Sequence, residues 1–293
     1  MADESLNLPL VVIAGPTASG KTSLAIKIAK KFNGEIICAD SRSIYKGMDI
    51  GTAKPNKLEQ SEVPHWGLDL VNPDEYFSVA DFKKYALEKI EEIRSRGNIP
   101  FLVGGTGLYI DSIIFDYQFG GKADSDKREK LNNMSISQLL EYCNKNNIQL
   151  PENSQNKRYI IRNIERNGDT LKRRQNPIDN VIIVGITTEK AVLRKRIEQR
   201  IEQLFDDGAV KEAKILGEIY GWDGEAFKGN VYPLARLYIL GFITFEEMRI
   251  KLITLDWRLA KRQLTWLRRN SFIQWGTVAE LESCLDGRLA KLG

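Results

Sequence analysis

Short apolar runs alternate along the chain with longer segments of helical spacing. The runs Leu10–Ala14, Glu35–Ala39, Ile99–Val103 and Val181–Thr187 have the length and uncharged centres of strands buried on both faces of a sheet. The segments between them are long enough to hold crossover helices, which parallel strands require. The alternation therefore predicts an α/β fold with a parallel sheet flanked by helices.

Capping residues and spacing predict several of these helices. One helix is expected from about Ser78 to Arg96, with Ser78 as its N-cap, Asp81 near the capping-box position and Gly97 just beyond its end. A second is expected over residues 188–205, and mostly helical structure from residue 209 to about residue 269.

The sequence changes character from about Phe119 to Pro177, where it becomes polar and rich in Asn and Lys with modest helical periodicity. We interpret residues 119–178 as a helical insertion projecting from the sheet. The core is then expected to comprise residues 8–118 and 179–275. The last residues, 276–293, are expected to form a C-terminal tail.

The segment after the first predicted strand matches the pattern G-x-x-x-x-G-K-[ST] and precedes a helical pattern. It consists of Gly15, Pro16, Thr17, Ala18, Ser19, Gly20, Lys21 and Thr22. In this strand–loop–helix context, backbone amides can converge on a phosphate while Lys21 adds a positive charge and the Thr22 hydroxyl completes a magnesium shell. The motif predicts a P-loop NTPase-like fold and a ligand bearing a di- or triphosphate.

Asp40 follows the second predicted strand. In an open parallel sheet the carboxyl ends of neighbouring strands face one crevice, so Asp40 should point toward the bound phosphates. A carboxylate there can be a magnesium ligand, a proton acceptor or an N-cap of the next turn. The residues alone leave these three roles open.

Other segments at the same edge offer further candidates. Residues 44–55 have neither helical nor alternating periodicity and are interpreted as a functional loop. Thr106 follows the third predicted strand in a Gly-rich turn that either binds a ligand or is simply tight. His65, the only histidine, can be a general base or a hydrogen-bonding residue that fixes its loop.

Arg196 and Arg200 are four residues apart on the second predicted helix and share one face. If this face meets the crevice, one of them can stabilise the charge of a departing phosphate. Otherwise the two belong to a surface ladder with Glu198 and Glu202.

Composition limits the class of protein. A chain of 293 residues with 42% hydrophobic and 28% charged residues is typical of a globular protein. No apolar run approaches membrane-spanning length, and the first five residues carry acids where a signal peptide carries bases. Three widely separated cysteines suit reduced thiols rather than disulfides or a Cys-rich metal site. We therefore expect a cytoplasmic protein with no membrane partner.

Positive charge is concentrated in two places. Seven bases lie between Lys157 and Arg174 against two acids, and a second basic set near the C-terminus is interleaved with tryptophans. Such clusters either bind a polyanion or are helix faces exposed to solvent. The second set consists of Arg258, Lys261, Arg262, Arg268 and Arg269.

Five blocks occur in a fixed order: GPTASGKT at Gly15, DSRSIYKGMDIGTAKP at Asp40, GGTGLY at Gly104, RIEQR at Arg196 and AKRQLTWLR at Ala260. In combination they resemble the tRNA dimethylallyltransferase family of the bacterial type, from about residue 10 to residue 269. The resemblance implies transfer of a dimethylallyl group from dimethylallyl diphosphate to N6 of the adenine 3′ of the anticodon, without use of a nucleoside triphosphate.

The resemblance also implies roles for particular residues. Asp40 would be the general base, Thr17 would bond the oxygen that bridges to the leaving group, and Arg200 would hold the diphosphate with the P-loop and Mg²⁺. The tRNA contacts that it implies are Asp40, Ser41, Arg42, Ser43, Thr106, Arg128, Arg158, Arg162, Lys261 and Arg262. The expected partners are dimethylallyl diphosphate and the tRNA anticodon arm, bound by a monomer.

Three alternatives remain at this point. A small-molecule kinase shares the loop and the sheet and would turn over ATP. An adenylate isopentenyltransferase would act on free AMP or ATP, which the basic insertion disfavours. An RNA-binding protein with a vestigial loop is hard to reconcile with the intact Lys21, Thr22 and Asp40.

Overall fold

A computed structural model describes residues 8–119, 125–151, 153–169 and 171–291. The first five residues, whose acids argued against a signal peptide, lie outside these ranges. Parts of the predicted insertion and of the predicted tail also lie outside them. The chain divides into two compact units, one containing Met1–Ile114 and Pro177–Gly293, the other Phe115–Asn176. These bounds lie a few residues from the expected insertion at 119–178.

The described part of the first unit holds a six-stranded sheet in which all paired strands are parallel. The strand order is β3-β2-β4-β1-β5-β6, so β1 is central. The α/β prediction is confirmed, but the short strands β3 and β6 were not predicted because two or three residues show no periodicity. The strands are β1 (Leu10–Ala14), β2 (Gly34–Cys38), β3 (His65–Trp66), β4 (Ile99–Gly104), β5 (Val181–Ile186) and β6 (Gln274–Gly276).

Helices connect and cover these strands. The described helices are α1 (Lys21–Lys31), α2 (Lys57–Glu62), α3 (Val79–Ser95), α4 (Gly107–Ile114), α5 (Ser125–Asn133), α6 (Ile136–Lys145), α7 (Lys157–Glu165), α8 (Lys190–Asp206), α9 (Ala209–Tyr220), α10 (Val231–Ile239), α11 (Phe245–Leu267) and α12 (Val278–Leu289). Within the described ranges, none is both long and apolar enough to cross a membrane.

The predicted caps of α3 are present. The Ser78 side chain accepts a hydrogen bond from the Asp81 amide, and the Asp81 carboxylate accepts one from the Ser78 amide, which completes a capping box. Gly97 follows the helix with a positive φ of 74°, a conformation in which glycine has no side-chain penalty.

The C-terminal segment corrects one expectation. Residues 276–293 were expected to form a tail, but α12 buries Leu281, Leu285 and Leu289 in the cluster that contains α1 and the residues Val11 and Ile13 of β1. These leucines recur every four residues, which is the spacing of one buried helix face. The helix therefore belongs to the core of the first unit.

The second unit has a small core of its own. Helices α5, α6 and α7 contribute apolar side chains such as Leu131, Leu139, Ile160 and Ile164 to one cluster. The described part of the segment contains these three helices, in agreement with the expected helical insertion.

Candidate active site

The P-loop joins β1 to α1 at the carboxyl end of the central strand. Ala18 and Gly20 have positive φ angles of 60° and 92°, and α1 begins at Lys21 without a side-chain cap. A turn of this kind followed by an uncapped helix N-terminus presents backbone amides to an anion. Gly15, Pro16 and Ser19 are buried and complete the loop.

A cavity of about 640 Å³ opens beside this loop within the first unit. Its walls come from the segments that follow β1, β2 and β4, and from helices α8, α10 and α11. Most of the site residues predicted from the sequence line it: Thr17, Ala18, Gly20, Lys21, Thr22, Asp40, Ser41, Arg42, Ser43, Thr106, Arg200 and Arg262. The fold thus brings the anion-binding loop and Asp40 to the same cavity.

The ammonium group of Lys21 lies in this cavity wall, where its Nζ donates to the carbonyl oxygen of Pro16 at 3.2 Å. Burial lowers the pKa of Lys21 from its ordinary value of 10.5 to about 8, and the nearby Asp40 carboxylate partly offsets that effect. An anion bound at the loop would offset this loss of solvation and raise the pKa of Lys21 again.

Both arginines of α8 contact the P-loop, although Arg196 is also exposed to solvent. Nη1 of Arg196 donates to the carbonyl oxygen of Ser19 at 3.2 Å, and Nη1 of Arg200 donates to Thr17 Oγ1. Within the part of the chain that the structure describes, Arg200 Nε is buried and has no hydrogen-bond partner, so it can donate to a further acceptor in the cavity. The acids of the alternative ladder pair elsewhere: Glu198 with Arg194, and Glu202 with Arg249.

Of the roles left open by the sequence for Asp40, the structure shows the capping contact. Oδ1 of Asp40 accepts a hydrogen bond from the Arg42 amide at 2.8 Å, which fixes the turn after β2 as a cap would. Its carboxylate also lines the cavity and interacts electrostatically with Lys21. The neighbouring Ser41 amide donates to Thr106 Oγ1 at 3.1 Å, which joins the turns after β2 and β4.

Gln263 of α11 was not singled out by the sequence analysis, although the block AKRQLTWLR contains it. Its Oε1 accepts a hydrogen bond from the Thr17 amide at 2.9 Å, and it lines the cavity. The contact joins residues 246 positions apart, and no local pattern shows such a pairing.

Glu212 of α9 is a second residue without a sequence signal. Its carboxylate accepts hydrogen bonds from the amides of Asp49, Ile50 and Gly51 at 2.7–2.9 Å and from the Tyr232 hydroxyl at 2.9 Å. The three amide bonds hold the loop of residues 44–55, part of which lines the cavity, and the bond from Tyr232 joins the carboxylate to α10.

His65 lies on strand β3, at the cavity wall, rather than in a loop. Its Nδ1 is 2.7 Å from the carbonyl oxygen of Val63, the bonding expected of a residue that fixes the backbone. Burial lowers the pKa of the imidazole.

Three predicted tRNA contacts lie in the second unit. Arg128 forms a two-pronged hydrogen bond with the carboxylate of Glu165, which Arg162 also contacts, so these side chains join α5 to α7. Arg158 is on the exposed side of α7. In the first unit, Lys261 is exposed and lies over the ring of Trp257 at 5.9 Å.

The fold and the site define the class of protein: a parallel α/β protein with a phosphate-binding loop at the end of its central strand and a carboxylate in the same cavity. Two family models match the chain, "IPP transferase" over residues 43–270 and "Isopentenyl transferase" over residues 8–65.

Known proteins of the same size resemble the chain over nearly its full length. It is 39% identical to a tRNA dimethylallyltransferase of Anoxybacillus flavithermus, with 91% of this chain and 89% of the relative covered. A crystal structure of a tRNA isopentenylpyrophosphate transferase from Bacillus halodurans is 36% identical, with a TM-score of 0.74 and 97% of each chain covered.

A third relative shares the fold at lower identity. A eukaryotic dimethylallyltransferase acting on tRNA is 21% identical, with a TM-score of 0.75 and coverage of 97% of this chain and 77% of the other. The chain belongs to the IPP transferase family.

Proposed function

We propose that this protein transfers the dimethylallyl group of dimethylallyl diphosphate to N6 of the adenine 3′ of the anticodon in tRNA. The observation that carries the proposal is the shared cavity, which Lys21, Arg200 and Asp40 all line. The names of its relatives support prenyl transfer to tRNA over the small-molecule kinase considered above.

The donor diphosphate is assigned to the P-loop. The amides at the start of α1, the Lys21 ammonium and the Arg200 guanidinium would stabilise the charge that develops on the leaving group as the allylic carbon–oxygen bond breaks. Arg200 already donates to Thr17 Oγ1, so the hydroxyl hydrogen of Thr17 can point away and donate to the bridging oxygen of the donor.

The acceptor is an exocyclic amine, which is a weak nucleophile. Asp40 would orient this amine and accept its proton while nitrogen forms a bond to the allylic carbon, so that diphosphate leaves and the prenylated base remains. The bond from the Arg42 amide to Oδ1 holds the carboxylate in one orientation for this purpose.

Magnesium fits the site as an ion bound mainly through the donor. Among the described residues, no cluster of three or more His, Cys, Asp or Glu side chains can hold a metal, but Thr22 and Asp40 line the cavity. Mg²⁺ commonly takes one or two protein ligands together with substrate phosphate oxygens and water. When bound, it would supply further positive charge to the leaving group.

The tRNA is assigned to the polar residues that follow β2 and β4 and to the basic side chains. The target adenine has to leave the stack of the anticodon loop, at a cost of about a few kcal/mol that backbone contacts must offset. We assign the flipped nucleotide to Ser41, Ser43 and Thr106, and phosphate contacts to Arg158, Arg162 and Arg262. A monomer in the cytoplasm suffices for this activity and remains our expectation.

The test is incubation of the protein with isotopically labelled dimethylallyl diphosphate, unmodified tRNA and magnesium, followed by nucleoside analysis. We expect label on one adenosine next to the anticodon. A parallel assay with free AMP and with ATP separates the alternatives. Labelled free nucleotide, or ATP hydrolysis without prenyl transfer, would refute the proposal.

A further inference from the structure

In addition to Asp40, the carboxylate of Asp256 in α11 lines the cavity. Only 7% of Asp256 is exposed, and its Oδ1 accepts a hydrogen bond from Nδ2 of Asn230 at 2.7 Å. None of the basic side chains that the structure describes forms an ion pair with it. Burial of a carboxylate without a cation is costly, and such groups in a cavity are candidates for function.

Asn230 holds this carboxylate in one orientation. It occupies the N-cap position of α10, where an asparagine side chain ordinarily accepts a hydrogen bond from the helix. Its side chain caps none of the amides that the structure describes and donates to Asp256 instead. An ionised carboxylate only accepts hydrogen bonds, so the amide nitrogen of Asn230 faces Oδ1. Oδ2 of Asp256 can therefore accept from a donor in the cavity.

Asp256 lies on the same face of α11 as Gln263 but away from the P-loop. The two residues are seven positions apart, which is close to two full helical turns and about 10 Å along the helix axis. Gln263 contacts the Thr17 amide. Asp256 therefore borders a part of the cavity about two turns away from that contact.

The segment before α10 packs against the turn after β2, to which the flipped nucleotide is assigned. A Cβ at Gly229 would lie 3.9 Å from Cδ of Arg42 in that turn. Asn230 directly follows Gly229 in the chain. The pair of Asn230 and Asp256 therefore adjoins the acceptor side of the cavity.

A carboxylate at this position selects for hydrogen-bond donors. An ionised diphosphate has none and would be repelled by the charge, so the group that meets Asp256 belongs to the acceptor nucleotide. The edge of adenine offers donors only at N6, which is assigned to Asp40 and the reacting carbon. The ribose lies at the other end of the nucleoside from N6, and its 2′-hydroxyl is the remaining donor.

We propose that Asp256, oriented by Asn230, is a specificity-determining residue that accepts a hydrogen bond from the ribose 2′-hydroxyl of the flipped nucleotide. This contact lets the site distinguish RNA from DNA. The inference rests on the proposed function, because it concerns the acceptor of the same reaction, and it adds that the sugar is recognised as well as the base.

The test is the kcat/KM of prenyl transfer to two anticodon stem-loop RNAs that differ only at the target adenosine. One carries the 2′-hydroxyl, and the other carries a 2′-fluorine, which cannot donate a hydrogen bond. The unchanged protein should prefer the hydroxyl by about tenfold or more, the scale of a hydrogen bond to a charged group. In Asp256→Asn, Asn230 holds the new carboxamide by its oxygen, so its nitrogen faces the cavity as a donor. The preference should then fall by about tenfold.

Glu218→Gln is the matched control, because Glu218 is exposed on α9 and the change removes the same charge outside the cavity. It should keep the preference of the unchanged protein. Asn230→Ala should lower the preference by a smaller factor, because the carboxylate remains but can rotate.

Equal transfer to both RNAs by the unchanged protein would overturn the inference and leave the proposed prenyl transfer intact. An equal loss of kcat/KM on both RNAs in Asp256→Asn would also overturn it, because Asp256 would then contact N6 or only join α10 to α11. Transfer to neither RNA by the unchanged protein would instead refute the proposed function, and the inference with it.

Discussion

Replacing the P-loop lysine with an apolar residue should stabilise the fold while removing donor binding. Burial lowers the pKa of Lys21 from 10.5 to about 8, so below pH 8 the folded protein holds an ammonium in a poorly solvated place. A difference of ~2.5 pKa units corresponds to about 3 kcal/mol. The attraction of Asp40 is already included in that pKa. Lys21→Met should therefore raise the free energy of unfolding at pH 7 by about this amount.

The pKa of Lys21 also determines how the free energy of unfolding depends on pH. The folded pKa of Lys21 lies below the unfolded value, so between about pH 8 and pH 10.5 the unfolded chain binds more protons than the folded protein. The stability contributed by this residue is lowest below pH 8 and rises through that window. The advantage of Lys21→Met should accordingly shrink as the pH increases from 8 to 10.5.

The assay is urea unfolding of both proteins at pH 7, 9 and 10.5, with Lys214→Met as the control because Lys214 is exposed in the middle of α9. Calorimetry with pyrophosphate measures donor binding separately. The reasoning would be refuted if Lys21→Met were less stable than the unchanged protein at pH 7. A gain in stability that did not vary with pH would also contradict it.

Three other variants test the assigned roles. Asp40→Asn should lower the single-turnover rate by about 10²–10⁴-fold with tRNA affinity largely kept; weaker tRNA binding at an unchanged rate would remove Asp40 from catalysis. Glu212→Ala should lower the free energy of unfolding by about 1–3 kcal/mol, because three amides and the buried Tyr232 hydroxyl lose their acceptor, and an unchanged urea midpoint would contradict this. The double variant Arg158→Ala and Arg162→Ala should reduce the dependence of tRNA affinity on salt by about one in log–log slope per lost phosphate contact. An unaltered slope would assign both arginines to ordinary surface.

Local patterns were sufficient for the four longer strands of the sheet and for the P-loop. The run Leu10–Ala14 and the motif that follows it each depend on neighbours in sequence, and β1 and the N-terminus of α1 lie where these patterns predict. The position of Asp40 followed from one topological rule, because carboxyl ends of parallel strands share an edge. Helical spacing places Arg196 and Arg200 on one face of α8 but does not show what that face contacts. Only the structure shows that both side chains reach the P-loop.

The features that were missed depend on contacts between distant segments. Gln263 meets Thr17 and Glu212 meets Gly51 only because α9 and α11 pack beside the loops that follow β1 and β2. Strand β3 is defined by its pairing with β2 and not by its two residues. Helix α12 did carry a local signal, the fourfold spacing of its leucines, which would have predicted a buried helix in place of a tail.

We propose that the P-loop and Asp40 act on opposite sides of one reacting carbon. The most direct measurement is a crystal structure with an unreactive thio analogue of dimethylallyl diphosphate and an anticodon stem-loop RNA. We expect the diphosphate on the amides that begin α1, and Asp40 within roughly 3 Å of the adenine N6 that faces the allylic carbon. A diphosphate bound away from Lys21, or an adenine whose N6 is out of reach of Asp40, would contradict it.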